Sequence, residues 1–160
     1  MSVYIVAVAI DVQPTPGYLV YRLATAWQAE VDRAVQPLGL THAQYSVLAS
    51  LRGLTRRGAA PSQRELADHL GLDPVFVSKV IRTLEANGFV TRADHPQDTR
   101  AYALGLTREG VAVATKAVAI VIALQERMTA PLGGLSGKAT KQFVAAVQQL
   151  LAAADRSTNG

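Results

Sequence analysis

From Tyr18 an apolar stripe of Leu19, Leu23, Ala26, Trp27, Val31 and Val35 recurs at helical spacing until Pro37 and Gly39 interrupt it, which predicts a first helix. Thr41 and Gln44 have the spacing of a capping box, and Val47, Leu48, Leu51 and Leu54 carry a second helix to the Arg56-Arg57-Gly58 break. Ser62 and Glu65 repeat that box before a short third helix, with Leu66, Ala67 and Leu70 on one face and Gly71 at its end. Asp73 caps a fourth helix. Pro74 fits its first turn, where the missing amide proton costs nothing, and Asn87-Gly88 closes it with residues that tolerate the left-handed conformation. The period then changes from helical to alternating. Phe89–Arg92 and Ala101–Leu106 predict two strands, joined by the polar turn Asp94-His95-Pro96-Gln97-Asp98. Thr107 caps a long fifth helix that reaches Met128 and is closed by Pro131 and Gly133-Gly134. A sixth, from Lys138 to Ala154, places Phe143, Val144, Val147, Leu150 and Leu151 on one face. The expected fold is mainly α with a small β-hairpin.

Residues 1–16 stand apart as an N-terminal arm. Val3, Tyr4, Ile5, Val6 and Val8 suit a short strand or an irregular arm, and the pattern does not choose between them. Met1–Ile10 has no Lys or Arg before its apolar run and is shorter than the roughly 15–30 residues of a secretory signal, so export is not expected. Val111–Leu124 contains Lys116 and falls short of the ~20 residues that span a bilayer, so it reads as a buried helix. A cytoplasmic protein with no membrane partner is expected.

Composition narrows the chemistry. A chain of 160 residues, 49% hydrophobic and 18% charged, is long and apolar enough to fold around a core, which excludes disorder. With no cysteine, disulfides, thiolate zinc sites, iron–sulfur clusters and peroxide sensing by thiol oxidation are excluded. His42, His69 and His95 fall in three elements without ligand spacing, and Asp94, His95 and Asp98 read better as a turn than as a metal site. No glycine-rich phosphate loop or nucleophile elbow is present. No catalytic residue, metal or cofactor is expected, and an enzyme is improbable. Sixteen basic against twelve acidic residues give a net charge of +4, which favours a phosphate-bearing partner.

The third and fourth helices have the spacing of a helix-turn-helix. Ala67 lets them approach, Gly71 supplies the turn, and Val77 and Val80 seal the second onto the first, although an ordinary helical hairpin shares parts of this pattern. Steps of about 100° put Val77, Val80, Ile81 and Leu84 on one side of the fourth helix. Val75, Lys79 and Arg82 fall opposite, flanked by Phe76, Ser78 and Thr83. Lys or Arg can donate to guanine and an apolar group can touch the thymine methyl, so this face suits the major groove. A solvated face looks equally charged, but outward Val75 and Phe76 point to a partner or a neighbouring element. The hairpin has the place of a wing, with Arg92 and Arg100 to reach phosphates or a narrow minor groove. Asp98 is positioned to pair with Arg100 or a neighbour; a polar loop with a weak surface pair is the plainer alternative. Residues 52–108 hold nine Arg or Lys against six Asp or Glu, so the basicity lies where the motif is.

These segments carry a resemblance. Ser62-Gln63-Arg64-Glu65-Leu66-Ala67, Leu84-Glu85-Ala86-Asn87-Gly88-Phe89-Val90-Thr91-Arg92, Asp98-Thr99-Arg100 and Leu106-Thr107-Arg108-Glu109-Gly110 resemble the MarR family of winged helix-turn-helix regulators. The resemblance runs from about Tyr18 to Leu151. It implies an obligate homodimer joined through the first, fifth and sixth helices, and a pseudo-palindromic double-stranded DNA operator. Ser78 and Lys79 match groove-facing positions and Arg100 the wing arginine. Arg82, where the family often has an acidic residue, and Phe76, where small polar residues are common, depart from the pattern. The corresponding division is a DNA-binding region at 41–106 and a helical dimerisation region at 17–40 and 107–155. The fifth helix also argues for a dimer directly: Val111, Ala114, Val118 and Val121 on one side, with Val113, Ala117, Ile120 and Leu124 on another, need burial on several faces.

The family's effectors, often aromatic or phenolic acids, occupy a cleft between the dimerisation helices and the DNA-binding lobe. Tyr21, Trp27, His42 and Tyr45, with Arg22 as anion partner, are the candidates here; that Trp27 and Tyr45 are simply core is the plainer reading. The expected function is a sequence-specific transcriptional regulator, a repressor released by a small aromatic effector. The alternatives are a winged-helix module for protein–protein contact and, more weakly, a small hydrolase or metal-binding protein using His95.

Overall fold

Side-chain caps set the helix starts. In the computed structural model, which describes residues 14–96, 98 and 100–158, Thr15 caps α1 (Pro16–Val35) and Thr41 caps α2 (His42–Arg56). Ser62 caps α3 (Gln63–Leu70), Asp73 caps α4 (Pro74–Ala86) and Thr107 caps α5 (Arg108–Met128). At Thr41 and Ser62 the boxes are reciprocal, the N3 side chain accepting from the cap residue's own amide. Each satisfies two orphan donors. Gly71 ends α3 at φ 63°, a left-handed conformation that favours glycine. A final helix, α6, spans Lys138–Thr158. Residues 1–13 of the N-terminal arm, and Gln97 and Thr99 of the hairpin turn, lie outside the described residues.

The hairpin pairs β1 (Val90–Asp94) with β2 (Tyr102–Leu106), antiparallel, with Val90 opposite Leu106 and Asp94 opposite Tyr102. Both strands differ from the sequence-based expectation. Phe89 stays out of β1 because its amide donates to the Leu84 carbonyl, completing the end of α4, and Ala101 stays out of β2 because its amide closes the turn onto Asp98. On its other edge β2 lies against the approach to α3: the Leu104 amide donates to the Pro61 carbonyl at 2.8 Å, and Ser62 bridges Ala103.

One core serves the chain. Val31 and Val35 of α1, Val47, Leu48 and Leu51 of α2, Leu66 of α3, Val77, Ile81 and Leu84 of α4 and Val121 of α5 are all buried in it. Two joints tie the elements. The His42 amide donates to Asp32 Oδ1 at 2.6 Å, fastening α1 to the start of α2. Thr107 holds the other joint: its amide donates to the Phe89 carbonyl, its hydroxyl donates to the Gly88 carbonyl at 2.6 Å and accepts from the Gly110 amide.

Helix α5 is covered in part within one chain: Ala114, Ala117, Val121 and Leu124 are buried where α1 and α2 pack along it, whereas Val111, Val113, Val118 and Ile120 are half-buried and Ile122 is exposed. More apolar surface lies open on α1 and α6, where Tyr18, Leu19, Val20, Tyr21, Val144, Leu150 and Leu151 are exposed.

Candidate nucleic-acid interface

Helix α4 divides as its periodicity predicts. Val77, Val80, Ile81 and Leu84 are buried, whereas Val75 and Phe76 remain 64% and 45% exposed in its first turn, with Lys79, Arg82 and Thr83 exposed along the same face. Ser78 is half-buried at the margin. Asp73 Oδ1 accepts from the Phe76 amide at 2.9 Å, and the Thr83 hydroxyl donates back to the Lys79 carbonyl at 3.2 Å. Among the described residues no other element covers Val75 and Phe76, which stay exposed.

Two shallow clefts border it. The first, ≈ 320 Å³, lies along the outer face of α4 and is lined by Gln63, Pro74, Val75, Ser78, Lys79 and Arg82. The second, ≈ 370 Å³, opens between the start of α3 and the hairpin; Gln63 lines it too, with Arg64, Arg92, Asp98 and Arg100 among its other residues. Gln63 therefore joins helix face and wing into one surface. Among the described residues that line it are Arg64, Lys79, Arg82, Arg92 and Arg100, with Asp98 the one carboxylate of the lining and Glu85 beside Arg92. Sequence reasoning missed Gln63, Arg64 and Tyr102, the last exposed on β2 beside the second cleft. For Arg64 the signal was available, since it falls opposite Leu66 and Leu70 on α3.

The three wing residues are held in different ways. Arg92 turns inward: its Nε lies 3.1 Å from Glu85 Oε2, an ion pair angled away from a hydrogen bond, and its Nε and Nη2 atoms are buried. It braces the hairpin against the end of α4, which leaves it less free to reach a phosphate. Asp98 does not steer a guanidinium; its Oδ1 accepts from the Arg100 backbone amide at 2.9 Å, the local bond that makes Asp a turn residue. Arg100 itself is exposed at the wing. His95, part-buried below the turn, has Nε2 3.9 Å from Glu65 Oε2. Accepting the Ser62 amide, and more weakly the nearness of His95, holds the Glu65 carboxyl below its usual pKa.

Of the five effector candidates, Trp27 lines the most apolar of the clefts described. Trp27 lines an apolar groove of ≈ 420 Å³ whose other walls come from α1 and α6, and Tyr21, Arg22, His42 and Tyr45 are not among its lining residues. Helical geometry is the reason: Tyr21 and Arg22 fall on other sides of α1 from Trp27, and Arg22 sits over the Tyr18 ring at 5.9 Å. His42 and Tyr45 belong to the first turns of α2, half-buried there, and burial pushes the Tyr45 phenol up. Among the described residues no group of three or more His, Cys, Asp or Glu is placed to hold a metal, and no helix is long and apolar enough to cross a membrane.

Comparison with known proteins agrees with this architecture. A sequence profile described as the MarR family matches residues 40–102. The HTH-type transcriptional regulator YdcH of Bacillus subtilis is 32% identical over 86% of this chain and 90% of its own length. The Mycobacterium tuberculosis MarR family protein Rv2887, solved in complex with salicylic acid, superposes with a TM-score of 0.65 at 30% identity, over 88% of this chain and 99% of that one. The M. tuberculosis regulator MOSR, solved in complex with DNA, gives 0.68 at 26% identity over 88% and 98%. These relatives are named as regulators rather than enzymes. The chain belongs to the MarR family of transcriptional regulators.

Proposed function

We propose that the protein is a homodimeric, cytoplasmic repressor that binds a pseudo-palindromic double-stranded DNA operator, with one α4 and one wing entering each half-site. The observation that carries this reading is the continuous surface through Gln63, where the outward face of α4 meets a wing cleft and Arg64, Lys79, Arg82 and Arg100 line the two clefts with Asp98, Arg92 being paired with Glu85. Val75, Phe76, Ser78 and Lys79 face the bases, Arg82 and Thr83 follow one turn further along, and Arg100 reaches the minor groove. Arg92 positions the wing through Glu85, and Asp98 fixes its turn. MOSR, 26% identical, was solved with DNA. The uncovered apolar faces of α1 and α6 support the dimer, since a large exposed apolar patch marks an association site.

A small aromatic acid is proposed as the effector that releases the operator, on the strength of Rv2887, 30% identical and solved with salicylic acid. Trp27 of this chain, with Tyr21, Arg22, His42 and Tyr45 contributing only if the second copy or a shift of α1 brings them together, is the proposed sensor.

Operators selected from random DNA by the purified protein, then titrated by fluorescence anisotropy across a salt series, test the reading. Affinity should fall linearly in log–log form with a slope near −0.9 per phosphate neutralised. Binding with no preferred sequence and no salt dependence would favour a protein–protein module instead.

A further inference from the structure

The first turn of α4 has little to give a phosphate. Pro74 has no amide proton, the Phe76 amide donates to Asp73 Oδ1 at 2.9 Å, and the Val77 amide donates to the Asp73 carbonyl. The capping carboxylate of Asp73 also takes the place at the helix start that a phosphate oxygen would otherwise fill. What the turn presents outward is apolar instead. Leu72, Pro74, Val75 and Phe76 are all exposed, and Asp73 is the one charged residue from Gly71 to Phe76. Cations begin a turn later, with Lys79 and then Arg82 exposed on the same side.

In the major groove such a turn has few places to rest. The edges of guanine, cytosine and adenine show only hydrogen-bond donors and acceptors, and thymine alone adds a methyl group. An aliphatic side chain laid over a polar edge strips its water without returning a hydrogen bond, which is unfavourable. Over the methyl both surfaces are apolar, and their contact is favourable. Two steps of about 100° separate Val75 from the buried Val77, so Val75 points straight away from the core, with Phe76 one step round beside it.

We infer that this apolar first turn, Val75 with Phe76 beside it, reads the methyl group of a thymine in each half-site. Lys79 is four residues further on, about 6 Å of helix rise against about 3.4 Å per base step, so the thymine lies within about two base pairs of the base that Lys79 contacts. The inference rests on the DNA-binding reading above and names the chemical group recognised. Specificity at this position comes from apolar contact rather than from hydrogen bonding. A cytosine methylated at C5 carries the same group, and is therefore read there as better than plain cytosine.

Modified operators separate the methyl from the rest of the base. Operators selected by the purified full chain are resynthesised with each thymine of one half-site replaced in turn by uracil, which keeps the hydrogen-bonding edge and loses only the methyl. Anisotropy titration of the parent should show a penalty at one such position, about fourfold for a single methyl group. That penalty should disappear in Val75→Ala or in Phe76→Ala, whichever side chain makes the contact, and persist in Arg100→Ala. At the same position 5-methylcytosine opposite guanine should bind the parent more tightly than cytosine does. Uracil without penalty at every thymine, a penalty equally large in the parent and both first-turn variants, or 5-methylcytosine no better than cytosine would each overturn the inference and leave the operator reading intact. A selection that returns no preferred sequence would fail the operator reading itself, and this inference with it.

Discussion

Gly110 stands in the first turn of α5 with no positive φ, a backbone that accepts any residue. Exchanging glycine for alanine inside a helix favours folding by up to about 1 kcal/mol through backbone entropy, so propensity alone gives Gly110→Ala a stabilising sign. The structure gives the opposite sign. A methyl group there would stand 1.9 Å from the Phe89 carbonyl oxygen and 2.8 Å from its carbon, and both belong to backbone that cannot swing aside. Relief requires the start of α5 to retreat from the turn between α4 and β1, which strains the bonds from Thr107 to Phe89 and Gly88. Overpacking costs about 1–3 kcal/mol and a weakened hydrogen bond about 1; subtracting the propensity gain leaves a net loss of about 2 kcal/mol. For a chain of this size that lowers Tm by about 4–8 °C. Gly53→Ala is the control: Gly53 lies exposed in α2 with nothing within 4 Å of a new methyl, so it should gain about 0.5–1 kcal/mol. Thermal and urea unfolding followed by circular dichroism at one protein concentration reads both signs. A Gly110→Ala protein as stable as the parent, or more stable, would refute the reasoning. Because the same retreat swings the hairpin away from α4, operator affinity should fall in Gly110→Ala although every proposed DNA contact is retained.

Arg100→Ala should weaken operator binding by about 1–3 kcal/mol with unchanged helix content, and an unaltered isotherm in moderate salt would remove the wing from the mechanism. Lys79→Ala should relax preference at one base pair per half-site, whereas Arg82→Ala should reduce the salt slope by about one and weaken all sequences alike; operator selection with each variant tells them apart. Ser62→Ala removes the α3 cap, at a cost of about 0.5–2 kcal/mol, and should let the Glu65 pKa rise only part of the way towards its usual value, since the residue-62 amide that is its main donor remains. Because the folded-state pKa of Glu65 is lowered, its contribution to stability is present above the unfolded value and lost as pH falls through the folded one. The parent should therefore lose stability more steeply than Ser62→Ala in that acid range, and parallel acid profiles would contradict the assignment.

Local chemistry was legible and the geometry between elements was not. Thr41, Ser62, Asp73 and Thr107 announce their helices because a cap and its target lie three residues apart, and the two faces of α4 follow from one angular step. The inward turn of Arg92 was hidden because Glu85 sits on a different element, and the pairing depends on the angle between hairpin and helix. Periodicity marked α5 as apolar all round but carries no information on which neighbour covers it; α1 and α2 cover one side, Ile122 stays exposed, and α1 and α6 add open apolar surface of their own. The effector candidates were gathered by residue type. Direction around the helix separates Tyr21 and Arg22 from Trp27, and α2 holds His42 and Tyr45 elsewhere.

Ser62 belongs at once to the cap of α3 and to the bridge with Ala103, and beside it Pro61 receives the Leu104 amide. A slip of β2 by one residue would therefore unseat the start of α3 as well as turn the strand's side chains to the wrong face. Register errors in the hairpin are penalised by a helix that is not part of it. The sheet is likewise stopped from growing past β2, since that edge is already occupied and Pro61 has no amide proton to offer a further strand. The edge left open is β1, five residues long with Arg92 and Asp94 along it, which makes the protein a poor template for edge-to-edge aggregation at the concentrations reached during its synthesis.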